Sequence, residues 1–211
     1  NGIRKTISKI PPLEAIFEYV WNGFDASATK IDIKYEGLLG GLSTLSISDN
    51  GTGIPFAGLD RKFGRFLDSE KANSDGNSKR HNSETRGKRG YGRLTFDVFC
   101  DKAEWHTVFK KGEINQEYVI SVTKRGIDEY HPDPSKPDPS VISSKATGTS
   151  VIFSNIYGLT AQELDELLLK ELAREFCWFL ELNKATSYSI SVNGKIVDYS
   201  FMIAERKEES W

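Results

Sequence analysis

The chain has 211 residues, of which 38% are apolar, 27% charged and 11% aromatic, with a net charge of −2. This is an ordinary globular balance that excludes disordered and fibrous classes, and at this length a core can carry the fold without disulfide staples. No stretch approaches the ~20 apolar residues needed to span a bilayer, and a net charge near zero does not mark a nucleic-acid binder.

After Pro11-Pro12, the residues Leu13, Ile16, Phe17, Val20 and Phe24 recur at three- and four-residue steps, which predicts a helix. Glu14, Glu18, Asn22 and Asp25 lie along a neighbouring face of it. Two strands follow, Ile31–Tyr35 and Leu45–Ser48, joined by a glycine-rich turn region over Glu36–Gly41. From Arg61 to Arg93 ten Lys/Arg face only four Asp/Glu, a local excess of six positive charges, and Asn73–Arg86 within it reads as a long polar loop. Leu94–Cys100 is apolar and is read as helix because glycines precede it. Glu104–Lys110 and Gln116–Lys124 alternate as strands around a Lys111-Gly112 turn. Asp128–Ser140 holds four of the seven prolines and reads as an irregular excursion, within a loop of residues 126–147.

Ser150–Phe153 is a short buried-type strand. Thr160, with Glu163 three residues on, marks the N-cap of a long helix that turns Leu164, Leu167, Leu168, Leu172, Phe176 and Phe179 inward. Asn193-Gly194 predicts a hairpin between Ser187–Val192 and Lys195–Tyr199. The expected architecture is an α/β two-layer sandwich in one domain (1–211), with mostly antiparallel strands and the helices on one face.

Several familiar sites are absent. There is no G-x-x-x-x-G-K-[ST] loop, no G-x-G-x-x-G (Phe56 stands where the last glycine would be) and no G-x-S-x-G elbow. His81, His106 and His131 lack the spacing of zinc ligands. Cys100 and Cys177 make no disulfide framework and fit a reducing cytoplasm. The N-terminal stretch has basic residues without a following apolar region, so it is not read as a secretory signal, and the sequon Asn50-Gly51-Thr52 is read as chance.

Four clusters remain. Glu18 and Asn22 are one helical turn apart among Phe17, Trp21 and Phe24, with Asp25-Ala26 closing the group. Their plainer reading is an exposed polar face; the sharper one is an amide oxygen for a Mg²⁺ shell and a carboxylate that holds or deprotonates water. Asp49-Asn50-Gly51-Thr52-Gly53-Ile54-Pro55 follows a strand and reads either as a tight turn or as an acceptor for an exocyclic amine beside backbone that approaches a flat ring. Gly87-Lys88-Arg89-Gly90-Tyr91-Gly92 reads either as a hinge or as a phosphate cradle at a helix start. Gly148-Thr149 precedes the Ser150–Phe153 strand.

Together, and in this order, FEYVWNGFDASATKIDI (Phe17–Ile33), SDNGTGIP, GKRGYG and GTS resemble the motifs of the GHKL ATPase superfamily, which includes DNA gyrase B subunits, heat-shock chaperone ATPase domains, histidine kinases and mismatch-repair MutL. The resemblance runs from about Leu13 to Phe153, and the G-x-x-G-x-G form of the third motif looks more like MORC-type or topoisomerase VI-type ATPases than like MutL. It implies the Bergerat ATP-binding fold. It also implies that Glu18 orients the attacking water and that Asn22 ligates Mg²⁺ bridging the phosphates, with Asp25 and Ala26 completing the first nucleotide-binding motif. Asp49 would accept from the adenine amine, helped by Thr149 through a water. Gly51 and Gly53 would let backbone approach the nucleotide, and Ile54 would pack near the base. Gly90, Tyr91 and Gly92 would hold phosphates, with Lys88 and Lys71 as candidate phosphate contacts. Residues 56–89 would form the lid and account for the basic excess; residues 160–211 would be a C-terminal helix and hairpin.

The resemblance further implies slow Mg²⁺-dependent hydrolysis of ATP to ADP and phosphate by an N-terminal module of a longer protein. That module would act as a dimerisation switch for attached domains. The alternatives are a nucleotide-responsive interaction module without hydrolysis and a histidine-kinase-type catalytic domain. The basic segment carries only Phe63, Phe66 and Tyr91 as aromatics, a poor stacking platform for single-stranded nucleic acid.

Overall fold

The computed structural model describes residues 7–57, 59, 91–125 and 141–203. Helix α1 (Pro12–Asp25) starts with proline at its first position, where the missing N–H costs nothing. It ends in a Schellman turn: Ser27 takes φ 62°, its N–H reaches Phe24 O at 2.9 Å, and the Ala28 N–H reaches Gly23 O at 3.0 Å. Its buried stripe is Ala15, Ile16, Tyr19, Val20, Gly23 and Phe24.

Strands β1 (Lys30–Leu38) and β2 (Gly41–Asp49) form a hairpin longer than the sequence predicts, because its turn shrinks to Leu39 and Gly40, both at positive φ. A 3₁₀ helix covers Tyr91–Val98, and strand β3 (Cys100–Lys111) begins at Cys100. The helix expected over Leu94–Cys100 is thus 3₁₀ rather than α and two residues shorter at its end. Strand β4 (Ile114–Thr123) follows a turn at Gly112-Glu113, one residue later than expected. Strand β5 (Ile142–Ser143) is a two-residue edge. Strand β6 (Gly148–Ile156) runs nine residues rather than the expected four. It alternates rather than being buried throughout.

The C-terminal helical run comprises α2 (Ala161–Glu163), a π-helical turn (Leu164–Leu168) and α3 (Leu169–Leu182). The Glu163 N–H donates to Thr160 Oγ1 at 3.1 Å, as the capping signal requires. Leu164, Leu168, Leu172 and Phe176 are buried, but Leu167 is 40% exposed, against expectation. The π turn shifts the helical phase, and with it Leu167 leaves the inner stripe. Strands β7 (Ser189–Val192) and β8 (Lys195–Ile196) are shorter than predicted but join at Asn193-Gly194, both at positive φ as a two-residue hairpin needs. Helix α4 (Ser200–Ile203) follows.

The strands make one sheet in the order β5-β4-β3-β6-β2-β1-β7-β8. Among the described strands only β1 and β7 are parallel, and every other pairing is antiparallel. Alternate strand residues point to the helices and form the core, including Ile31, Ile33, Leu45, Trp105, Val151 and Phe153. Rings of Trp21 and Phe24 on α1 meet Phe176 and Phe179 on α3, with centroids 4.6 Å apart for Trp21–Phe176 and for Phe24–Phe179. The indole N–H of Trp21 donates to Glu175 at 3.1 Å, which fixes the two helices side by side. No described helix is long and apolar enough to cross a membrane.

Candidate functional site

The end of α1 and the loop after β2 are bonded together. The Ala26 carbonyl accepts from the Thr52 N–H at 2.9 Å. The Asn50 side-chain oxygen accepts from the Thr29 and Lys30 amides at 2.9 and 2.8 Å. Asp49 is therefore held beside the last turn of α1: a Cβ on Gly23 would lie 3.1 Å from the Asp49 Cβ. One Asp49 oxygen accepts from the Gly51 N–H at 2.8 Å. Burial pushes the Asp49 pKa above the ordinary carboxylate value, while the Gly51 and Thr149 amides pull it back.

Across the sheet Asp49 pairs with Thr149 on β6, and Thr149 pairs with Thr107 on β3. These three residues form one row on the helix-facing side. The next row, Ser48, Ser150 and His106, faces the other way. Thr149 Oγ1 and Thr107 Oγ1 are 3.2 Å apart. Thr107 Oγ1 also accepts from the Ile54 N–H at 2.8 Å. Ile54 is buried, and its carbonyl accepts from the Tyr118 hydroxyl at 2.8 Å. Gly53 has φ +72°, and a Cβ there would come within 2.0 Å of the Val108 carbonyl oxygen, so only glycine lets the loop lie this close to β3.

At the middle of α1, the 3₁₀ helix closes over Glu18. A Cβ on Gly92 would lie 2.6 Å from Glu18 Oε2. Thr95 Oγ1 donates to Gly92 O at 2.7 Å, and the Tyr19 hydroxyl donates to Arg93 O at 3.0 Å while accepting from the Phe96 N–H at 3.1 Å. The two Tyr19 bonds pin residues 93–96 to α1. The Arg93 guanidinium is half-buried, and burial draws its pKa below the usual arginine value while the exposed Asp25 carboxylate opposes that shift. One turn beyond Glu18 lies Asn22, whose Nδ2 is buried with no hydrogen-bond partner among the described residues. Glu18 also lines a groove of about 720 Å³ with Phe17, Trp21, Arg174 and Glu175.

The orphaned Asn22 amide beside Glu18 fits a magnesium ion that arrives with phosphate oxygens and water, since the amide can present its oxygen by a flip. No group of three His, Cys, Asp or Glu side chains able to hold a metal is found among the described residues, so nothing there builds a cage made of protein alone.

The structure gathers Asp49, Gly51, Gly53, Ile54 and Thr149 around the loop after β2, and separately sets Gly92 against Glu18, one helical turn from Asn22. Asp25 lies beside Arg93, and Ala26 contributes its carbonyl to the loop rather than its side chain. Tyr91 opens the 3₁₀ helix. Lys71, Lys88, Gly90, the long loop Asn73–Arg86 and the excursion Asp128–Ser140 lie outside the described residues, as does nearly all of the expected lid.

Three residues escaped the motif reading: Thr107, Tyr118 and Arg93. Thr107 had a signal, because it is the one hydroxyl in the inward register Ala103, Trp105, Thr107, Phe109 of an alternating strand.

Residues 10–149 match the family model described as histidine kinase-, DNA gyrase B- and HSP90-like ATPase. The chain belongs to this ATPase family. Two solved structures resemble this family member at low identity. The N-terminal domain of a DNA repair protein is 18% identical, with 90% of this chain and 52% of that one covered and a TM-score of 0.47. The Aquifex aeolicus MutL ATPase domain complexed with ADP is 15% identical, with 90% and 63% covered and a TM-score of 0.46. The chain therefore spans between half and two-thirds of the length of these two structures. No curated protein matches its sequence.

Proposed function

We propose that this domain binds ATP with magnesium and hydrolyses it slowly to ADP and phosphate. The observation that carries the reading is that two loops close on α1: Gly92 abuts Glu18 at mid-helix, and Asp49 abuts Gly23, next to Asn22, near its end. A nucleotide bound between them has its base at Asp49 and its phosphates at Asn22, Glu18 and the amides preceding the 3₁₀ helix.

Asp49 keeps one oxygen on the Gly51 amide and offers the other to the adenine amine. Ile54 supplies an apolar wall for the ring. Asn22 would hold the magnesium ion, which would supply charge neutralisation on the phosphate oxygens. Arg93 adds positive charge at the same end. Glu18 accepts a proton from a water that attacks the terminal phosphorus; the bond to the bridging oxygen breaks, and ADP leaves with that oxygen. Lys71, Lys88, Gly90 and Tyr91 complete the phosphate end in this reading. The lid of residues 56–89 closes over it, offsetting the triphosphate charge with its basic excess. Closure drives association with a second copy and switches attached domains.

The test is phosphate release with and without magnesium, alongside sizing chromatography with a non-hydrolysable ATP analogue. Expected results are magnesium-dependent release and a larger species with the analogue. ATP binding without any release at high protein concentration identifies the non-hydrolysing module instead. Phosphate transfer to a partner histidine identifies the kinase-type domain.

A further inference from the structure

Thr107 occupies a junction that none of the recognised motifs contains. It is buried on β3, yet its hydroxyl reaches the two separate loops that flank Asp49. Its oxygen accepts from the Ile54 N–H at 2.8 Å, lies 3.2 Å from Thr149 Oγ1, and stands 3.4 Å from the Gly148 carbonyl. Asp49, Thr149 and Thr107 sit directly opposite one another on β2, β6 and β3.

A hydroxyl has one proton to give. With the Ile54 amide already spending one lone pair of Thr107, the Thr107 proton has two acceptors in reach, and the nearer is Thr149 Oγ1. Donation to Thr149 leaves the proton of Thr149 available to a ligand bound beside Asp49. The pocket then presents an acceptor at Asp49 and a donor at Thr149. That pattern complements a purine with an amine at C6 and a lone pair at N1. It opposes one with a carbonyl at C6 and a proton on N1.

We infer that Thr107 is a positioning residue that fixes Thr149 as a proton donor and so makes the site select 6-amino over 6-oxo purine nucleotides. This rests on the ATP-binding reading above and deepens it. Thr107 touches no nucleotide in this account; it acts through Thr149 and Ile54.

The experiment measures ATP and ITP affinities by calorimetry for the wild type, Thr107→Val, Thr107→Ser and Thr149→Val. Wild type should prefer ATP. Thr107→Val should lose about tenfold or more of that preference, the scale of one hydrogen bond, chiefly through weaker ATP binding. Thr107→Ser should restore it, because the hydroxyl returns. Thr149→Val keeps the Ile54 bond intact, so it guards against a folding defect in Thr107→Val; it should lose the preference to the same extent. An ATP/ITP ratio unchanged in Thr149→Val, or a uniform loss of both nucleotides in Thr107→Val that serine does not repair, overturns the proposal and leaves Thr107 a purely structural residue. Failure of the wild type to bind either nucleotide overturns the ATP-binding reading itself.

Discussion

At position 49 a carboxylate sits where burial penalises its charge, and the Gly51 and Thr149 amides recover only part of that cost. An aspartate whose folded pKa is raised destabilises the fold above that pKa, and the penalty vanishes once pH falls below the unfolded value. Asp49→Asn should therefore melt at a higher temperature than the wild type at neutral pH without nucleotide, with the gap closing as pH is lowered through the acidic range. A melting series over pH checks this. The same variant should bind ATP at least about tenfold more weakly, since a charged acceptor is lost. Wild-type affinity should itself weaken on acidification, beginning at a higher pH than for an ordinary aspartate. Gly92 carries a matching demand beside Glu18. Gly92→Ala would place a methyl group 2.6 Å from Glu18 Oε2. It should displace the carboxylate and cut turnover about 100-fold, as a misplacement of about 1 Å does. Calorimetry should still register nucleotide binding.

At the scale of elements, the site depends on α1 being held firmly between the sheet and α3. Phe176 is fully buried and meets Phe17, Trp21 and Phe24. Phe176→Ala should lower stability by about 3–5 kcal/mol, read from a urea unfolding midpoint, because the cavity cannot collapse among rings fixed on two helices. Helix α1, the hairpin at Asn193-Gly194 and the N-cap at Thr160 were legible because each has a local cause: an apolar stripe, a turn that needs positive φ, a side chain that satisfies a free amide. Strand lengths were not legible. Strand β6 extends on both sides of Ser150–Phe153 because β2 and β3 supply ladder partners that no local pattern reveals. The outward turn of Leu167 was hidden for a similar reason, since the π turn that moves it leaves no trace in periodicity.

Over the whole molecule, parts far apart in sequence meet on one side of the sheet. That Glu18 and Asn22 lie one turn apart on α1 was legible from their spacing; their roles, and that of Asp49, are what the family resemblance implies. Thr107 showed only as a hydroxyl in an apolar inward register; what it touches depends on β3 lying next to β6, which no local pattern reveals. Cys100 and Cys177 are both buried, and burial pushes the Cys100 thiol up to about 12. Both should resist alkylation at neutral pH until the chain unfolds, which mass spectrometry after brief reagent exposure would register.

The central claim is that α1 joins a base site at Asp49 to a hydrolytic carboxylate at Glu18. Glu18→Ala tests it most directly, with ATP affinity by calorimetry and phosphate release followed on the same preparation. The account predicts affinity within about threefold of wild type and release lowered about 100-fold or more, the usual worth of a general base. Release at the wild-type rate from that variant would contradict it.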